Sequence, residues 1–310
     1  MTIERFRLLL KPWMLPISMI IGAIFHNYME AIAWLAPWLI FAMLLITFCR
    51  IRPREIHVTP LSWMLLAVQL GGAGLGYALC CPMGEAIAQG VFICIFCPTA
   101  TAAPVITGML GGSIPRLVTF SIVSNIAVAI LAPPAFALLG AETSMTMLQS
   151  TMLIARRVVP LIIAPLFIAF FLERFSPKIH HKISENQGLS FYLWACSLVL
   201  TVGRSVSFII SEPASMIPTM IGLAVLSAVA CGIQFAAGHW IGKRYGDQIS
   251  GTQGLGQKNT VLAIWMALTY LNPVASVAPA AYVAWQNTFN SLQLYFKTRR
   301  DIQHSRPLIG

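Results

Sequence analysis

Apolar runs of about twenty residues follow one another along almost the whole chain, divided by short polar segments, and each is long enough to cross a bilayer as a helix. Ten are read, at 12–26, 31–49, 60–80, 86–111, 115–140, 148–172, 189–210, 213–240, 247–271 and 273–296. The first is short enough to lie tilted or partly in the interface. Pro133, Pro134, Pro160, Pro165 and Pro218 fall inside runs, which helices buried in a bundle tolerate. The pattern predicts an all-α membrane protein of ten transmembrane helices.

Two of these runs are interrupted. The ninth holds Gly254-Leu255-Gly256-Gln257-Lys258-Asn259, with Gly251 just before it, and Thr260 to Leu271 then resumes an apolar helix. Glycine weakens a helix, and a lysine at bilayer depth is expensive. The fourth holds Cys97-Pro98-Thr99-Ala100-Thr101-Ala102-Ala103-Pro104, where two prolines remove two rungs of the hydrogen-bond ladder. Paired Pro/Gly-interrupted spans point to the binding site of a transporter. With breaks in the fourth and ninth of ten spans, the chain divides into two halves of five. Five is odd, so the second half is expected to be inverted relative to the first, joined through the segment 173–188. Pro104 and Asn259 then fall at matching places after their breaks.

Charge refines the picture. The chain is 57% hydrophobic and 10% charged, against about a quarter charged in soluble domains. Its formal charge of +10 does not imply nucleic acid, because the basic residues are dispersed over short loops. Arg5, Arg7, Lys11, Arg50, Arg52, Arg54, Arg116, Arg174, Lys178, Lys182, Lys243 and Arg244 occupy the N-terminus and alternate loops. Lys297, Arg299, Arg300 and Arg306 follow the last span. The opposite loops hold Glu30, Glu85, Glu142 and Glu212 and no Lys or Arg. By the positive-inside rule both termini are cytoplasmic, in a plasma (inner) membrane. Trp34 and Trp38 sit where outer interface anchors would. Trp13 to Phe25 is apolar, but no small-residue cleavage site follows, so no signal peptide is expected. The seven cysteines lie in or beside apolar runs and read as buried small residues, with Cys94-x-x-Cys97 unsupported as a redox or metal motif.

Four basic residues remain: Arg156, Arg157, Arg204 and Lys258. All ten acids lie at loops, ends or tails. The interior is therefore expected to hold cations without carboxylates, each central cation carrying an insertion cost of roughly 2.5–3.5 kcal/mol. A bound anion would offset it. Arg156 and Arg157 are about two turns into the sixth span and can snorkel outward, and their directions differ by about 100°. Arg204, near the outer end of the seventh span, can also snorkel. Lys258 is too central for that. Gln69, Ser121, Ser124, Asn125, Gln286, Asn287 and Asn290 lie mid-span; singly they read as interhelical hydrogen bonds, as a set around two breaks they read as a cavity lining. The six histidines fall at loops or span ends, so no metal or proton wire is expected.

These residues resemble the bile acid–sodium symporter family over nearly the whole chain. The matching features are ten spans, Cys97-Pro98 opening the first crossover, Gly256-x-x-Asn259-x-x-Leu262-Ala263 at the second, Gln69 in the third span and Asn287 in the tenth. The resemblance implies two inverted five-helix repeats with crossed broken helices. It also implies a panel of 1–59 and 141–210, a core of 60–140 and 211–297, and a cytoplasmic tail at 298–310. Sodium-driven uptake by alternating access is implied as well. The departures bear on the ion. The family's Ser-Asn in the first crossover is Ala103-Pro104 here. Its Glu in the second is Gly254, or Gln253 if the alignment slips by one, and its Gln before the crossover Asn is Lys258. Those positions supply most oxygen ligands of the family's sodium sites. The candidate ion-site residues that remain are Gln69, Ser121, Ser124, Asn125 and Gln253, with Lys258 as a tethered cation or a proton-linked group.

The expected function is secondary transport of a small organic anion, without the usual sodium sites and without a cofactor. Candidate substrate-contacting residues are Thr99, Thr101, Gln257, Lys258, Asn259, Thr260, Asn287, Asn290 and Arg157. The expected partners are that anion and the lipid bilayer, not nucleic acid. Two other functions fit the same residues: ordinary sodium-coupled symport, and a non-transporting membrane sensor that keeps the cavity. An enzyme is not expected, because no acid, His or nucleophile–base pair lies in the interior.

Overall fold

The computed structural model describes residues 14–49, 56–100, 103–140, 146–185, 187–211 and 213–304. Arg5, Arg7, Lys11, Arg50, Arg52, Arg54, Glu142, Glu212 and Arg306 of the charge pattern lie outside them. The chain runs through α1 (Met14–Ile24), the single turn α2 (His26–Met29), α3 (Leu35–Phe48), α4 (Pro60–Cys80), α5 (Glu85–Phe96), α6 (Ala103–Leu110) and α7 (Ile114–Leu139). It continues through α8 (Met147–Phe175), α9 (Pro177–Glu185), α10 (Gln187–Ser211), α11 (Ile217–Arg244), α12 (Gln248–Gly256), α13 (Thr260–Tyr270) and α14 (Val277–His304). No β-strand occurs among the described residues, which carry a single isolated bridge between Thr99 and Lys258.

Local sequence explains several of the boundaries. Thr59 and Ser62 form a capping box ahead of α4, with Pro60 in the first turn, where its missing N–H costs nothing. Thr146 and Gln149 do the same for α8. Asp247 caps α12 by accepting from the Ser250 N–H at 3.1 Å. Pro133, Pro134, Pro160 and Pro165 are accommodated inside α7 and α8. Pro218 is not an interior proline as the hydrophobic pattern suggested, because it lies in the first turn of α11. Pro104 likewise lies in the first turn of α6 and does not break it.

Four helical stretches, Pro60–Met83, Ile114–Leu139, Thr151–Phe175 and Ala214–Arg244, are long and apolar enough to cross a membrane. Shorter apolar helices occupy Leu35–Phe48, Glu85–Phe96, Ala195–Ser211 and Thr260–Tyr270. The exterior is apolar too. Ile221, Val225, Val229 and Ile233 recur every fourth residue of α11 and are all exposed, a stripe that water does not tolerate over such a length. Trp34, Trp38, Trp63 and Trp240 are also exposed, near helix ends. The protein is an all-α membrane protein.

The helices pack in two groups, which α7 joins by lying along α8. α10 rests on α1, α2 and α3, and α3 on α8. α4 packs on α5 and α7, while α11 packs on α12, α14 and α5. The largest buried apolar cluster runs from Ile40, Leu44 and Phe48 through Phe92, Phe96 and Phe136 to Val261–Ala267. Within it Phe92 stacks on Phe96 at 4.9 Å between centroids, Phe136 stacks on Tyr270 at 5.7 Å, and Phe96 meets Phe136 edge-on. This ladder fastens α5, α7 and α13 together.

The glycines of the ninth run do a different job from the one expected. Gly251, Gly254 and Gly256 are all helical, inside α12. A side chain at Gly251 would strike the Gly238 carbonyl and reach within 2.7 Å of the Gly242 Cα, so these glycines let α11 and α12 touch along their backbones. A Cβ at Gly254 would come within 2.9 Å of the Phe120 ring. The break itself is only Gln257, Lys258 and Asn259, between α12 and α13.

Candidate functional site

Helices α5 and α12 each end inside the bundle, and the two breaks that follow them cross. The Asn259 N–H donates to the Pro98 carbonyl at 2.8 Å and the Ala100 N–H to the Gln257 carbonyl at 3.0 Å, making the antiparallel bridge at Thr99 and Lys258. Cys97 Sγ adds a contact of 3.3 Å to the Asn259 carbonyl. Such open backbone persists at depth only where protein groups satisfy it.

The end of α5 can be accounted for carbonyl by carbonyl. A helix leaves its last four carbonyls without intrahelical partners. Ile93 O receives the Cys97 N–H at 3.1 Å, as a last turn would. Cys94 O receives Gln234 Nε2 from α11 at 3.4 Å. Ile95 O receives Lys258 Nζ at 2.8 Å. Phe96 O receives Gln69 Nε2 from α4 at 2.7 Å, and the same nitrogen reaches Cys97 O at 3.1 Å. Three side chains from three segments thus close one helix end. Ser124 on α7 holds the amide in place by donating to Gln69 Oε1 at 2.9 Å.

The end of α12 is closed in a related way. Gln253 O takes the Gln257 N–H at 3.1 Å, Gly254 O takes the Thr99 hydroxyl at 2.9 Å, and Gly256 O takes the Tyr282 hydroxyl from α14 at 2.9 Å. Gln234 Nε2 lies 3.0 Å from that hydroxyl and links the two ends.

Lys258 is 1% exposed. Its backbone N–H donates to Gln286 Oε1 at 2.9 Å. Among the described residues no carboxylate pairs with its ammonium. The charge is favoured instead by the negative end of α5, whose partial charge resides in the carbonyls it meets. Asn259 caps α13 by accepting the Leu262 N–H at 3.2 Å, and Thr260 Oγ1 beside it is buried with no partner among the described residues.

The other expected site residues divide. Gln257, Gln253 and Asn290 come together: Gln257 Nε2 donates to Gln253 Oε1 and lies 3.4 Å from Asn290 Oδ1, while Gln253 Nε2 donates to Gln293 Oε1 at 2.7 Å. Asn287 does not join them, since its amide donates to Val283 O in its own helix at 2.7 Å. Asn125 likewise donates to Ser121 O at 2.7 Å, four residues back, leaving its Oδ1 buried without a partner among the described residues. Ser121 is buried on α7. Thr101 lies outside the described residues, as does the side chain of Arg157 on α8. Gln234 and Tyr282 were missed. A lone glutamine mid-way along an apolar run was a signal for the first, and nothing in the pattern singled out the second.

Two of the four remaining cations lie away from the crossover, as outward-reaching side chains would. Arg156 is exposed. Arg204 does not snorkel alone, because Nε and Nη2 reach the two carboxylate oxygens of Glu30 at 3.0 and 3.5 Å. The separation of 174 residues hid that pair from the sequence pattern.

The site is therefore a crossing of two discontinuous helices, sealed by side-chain amides, hydroxyls and one ammonium. No known family model matches the chain, and no curated protein matches its sequence.

Proposed function

We propose that the protein is a secondary active transporter of an organic anion, working by alternating access in a fold like that of the bile acid–sodium symporters. In this reading ten spans form two inverted repeats, with both termini cytoplasmic. Helices α1–α3, α8 and α10 form the panel, while α4–α7 and α11–α14 form the core that moves against it. The packing of α10 on α1, α2 and α3 and of α11 on α12, α14 and α5 fits that division, while the close packing of α7 on α8 runs across it. The position of the two breaks, each following a helix that ends inside the bundle and crossing at Thr99 and Lys258, supports the repeat.

The observation that carries the reading is Lys258, fully buried at the crossover with its ammonium on a helix-end carbonyl. A tethered cation occupies ground where a diffusible cation would bind carbonyl oxygens. Transport then needs no sodium, and the uncompensated positive charge attracts an anion to the crossover. Gln69 serves the same end as a cap, since its amide and its carbonyl oxygen are both engaged in hydrogen bonds. A proton on Lys258 that leaves and returns during the cycle would provide coupling by other means.

The test is uptake of radiolabelled organic monoanions and their neutral amides into proteoliposomes, in sodium, potassium and choline buffers. Saturable uptake of an anion but not its amide, equal in all three, is expected. Uptake only in sodium would return the protein to ordinary sodium symport. Saturable binding without uptake would make it a sensor.

A further inference from the structure

A cavity of about 310 Å³ lies away from the crossover, at the end of the bundle where α2, α10 and α13 meet. Its lining is Glu30, Arg204, Ser207, Phe208, Ser211, Leu268 and Pro273. That volume falls in the range of pockets that take small molecules. The cavity is bordered by α10 and the α2 end on one side and by α13 and the turn after it on the other. Those are the two bodies that alternating access would move.

The chemistry of the lining is specific. Arg204, Ser207, Phe208 and Ser211 recur at helical spacing on one face of α10. The Arg204 side chain is only 19% exposed, whereas that of Glu30 is 70% exposed. The guanidinium is thus a largely desolvated feature of the wall, and its counter-carboxylate is largely exposed to solvent. Arg204 offers Glu30 two N–H groups in a fork, the arrangement that recognises any carboxylate. Ser207 adds a hydroxyl one turn further on. Phe208, Leu268 and Pro273 give the body of a ligand apolar walls. Leu268 is two turns beyond the start of α13, so the cavity sits roughly 12 Å along that helix from Thr260.

We propose that this cavity is a receiving site for organic monocarboxylates with an aromatic or aliphatic body, where the ligand carboxylate replaces Glu30 on Arg204. The proposal rests on the transporter reading for its purpose, and not for its chemistry. Glu30 keeps the arginine neutralised while the site is empty. A neutral ligand cannot displace it, so the exchange filters for charge before anything reaches the crossover. In the orientation given by the basic loops, the site opens to the outside.

The probe is 4-(trifluoromethyl)benzoate, with its amide as control, followed by 19F NMR on the purified protein in detergent. The parent should bind the carboxylate saturably and ignore the amide. Glu30→Gln removes the competitor and should tighten binding by about fivefold, the scale on which a largely exposed ion pair competes. Arg204→Gln should abolish binding, and Arg204→Lys, which keeps charge but not the fork, should retain part of it. Ser207→Cys should react with a membrane-impermeant maleimide added outside cells, and the carboxylate should slow that reaction.

Three results would overturn the proposal: no saturable binding to the parent or to Glu30→Gln, equal weakening by Glu30→Gln and Arg204→Gln, or labelling of Ser207→Cys that the carboxylate does not slow. Equal weakening would mean that the pair is a structural staple between α2 and α10. The two ideas separate cleanly. Anion uptake that survives Arg204→Gln at the parent's rate removes this site and leaves the transporter. Binding with the stated variant pattern and no uptake of any anion removes the transporter and leaves the site.

Discussion

Replacing Lys258 by Met is the most informative single change, because the effects on stability and on function should part company. Methionine keeps the length and most of the volume of the side chain, so no cavity opens. The variant loses one charge-assisted hydrogen bond, to Ile95 O at 2.8 Å, a contribution of about 1.5–3 kcal/mol. It also loses the attraction of the ammonium to the end of α5, about 0.3–1 kcal/mol. Against these stands the removal of a buried cation with no carboxylate partner, a relief of roughly 2.5–3.5 kcal/mol. The terms nearly cancel, to within about 2 kcal/mol of zero. For a chain of this size that is a shift of no more than about 4 °C in melting temperature.

Intrinsic tryptophan fluorescence on heating measures the shift, and anion uptake in choline buffer measures the function. The expected result is a melting point near the parent's with sodium-independent uptake lost. A residue that holds the fold together would do the reverse. If the Met variant melts more than about 10 °C below the parent, the ammonium is a structural strut and the tethered-cation argument fails. Uptake preserved at the parent's rate in choline would refute it equally. The stricter variant pairs Lys258→Gln with Gln253→Glu, which supplies a carboxylate near the crossover and should move uptake towards sodium dependence. Gly254 is the wrong place for that carboxylate, because the Phe120 ring leaves no room for a side chain there.

Other changes should read out the framework. Gln69→Leu strips the donors from Phe96 O and Cys97 O in a place with no water access, and should cost about 2–6 kcal/mol, visible as the largest thermal shift among the crossover variants. Gly251→Val forces the α11 and α12 backbones apart and should destabilise by about 1–3 kcal/mol, with a loss of folded yield in detergent on size-exclusion chromatography. Asn287→Ala removes only a bond within its own helix, so melting should move by less than about 0.5 kcal/mol equivalent and uptake kinetics should be unchanged. A change in uptake there would restore Asn287 to the cavity lining.

The positions of the breaks were legible in the sequence because their signals are local. Gln257-Lys258-Asn259 is a run of polar residues at bilayer depth, Pro98 removes a ladder donor just past the end of α5, and Lys258 cannot reach either surface. Partners were not legible, because a polar residue in a span announces a need and not an address. Gln69 reads as an ion-site candidate or as an interhelical hydrogen bond, and its amide lies on the carbonyls of Phe96 and Cys97. Asn125 and Asn287 looked like lining residues, yet the amide N–H of each is spent on a carbonyl four residues back, an option open to any polar side chain on a helix. The glycines misled for a related reason. Glycine weakens a helix in isolation, but tight helix–helix contact restores what it loses, and periodicity alone cannot separate the two uses.

The two helix ends at the crossover are closed by unequal means, and the inequality locates the chemistry. At α12 the carbonyls meet hydroxyls and backbone N–H groups, all neutral. At α5 they meet two amides and one full positive charge. Neutral donors can be exchanged for one another without altering the field, whereas the ammonium sets its sign for everything nearby. An unpaired charge in a low-dielectric interior also acts over a longer range than any hydrogen bond. An anion approaching the break would therefore be drawn to the side of α5 and Lys258, where the N-terminus of α13 and the Thr260 hydroxyl, buried without a partner among the described residues, lie next in sequence. The same field repels a free cation from the carbonyls it would need. On the proposed transporter reading, selection for an anion and exclusion of sodium would both rest on one side chain, so a single substitution at Lys258 should change both together and a substitution at Tyr282 or Thr99 should change neither.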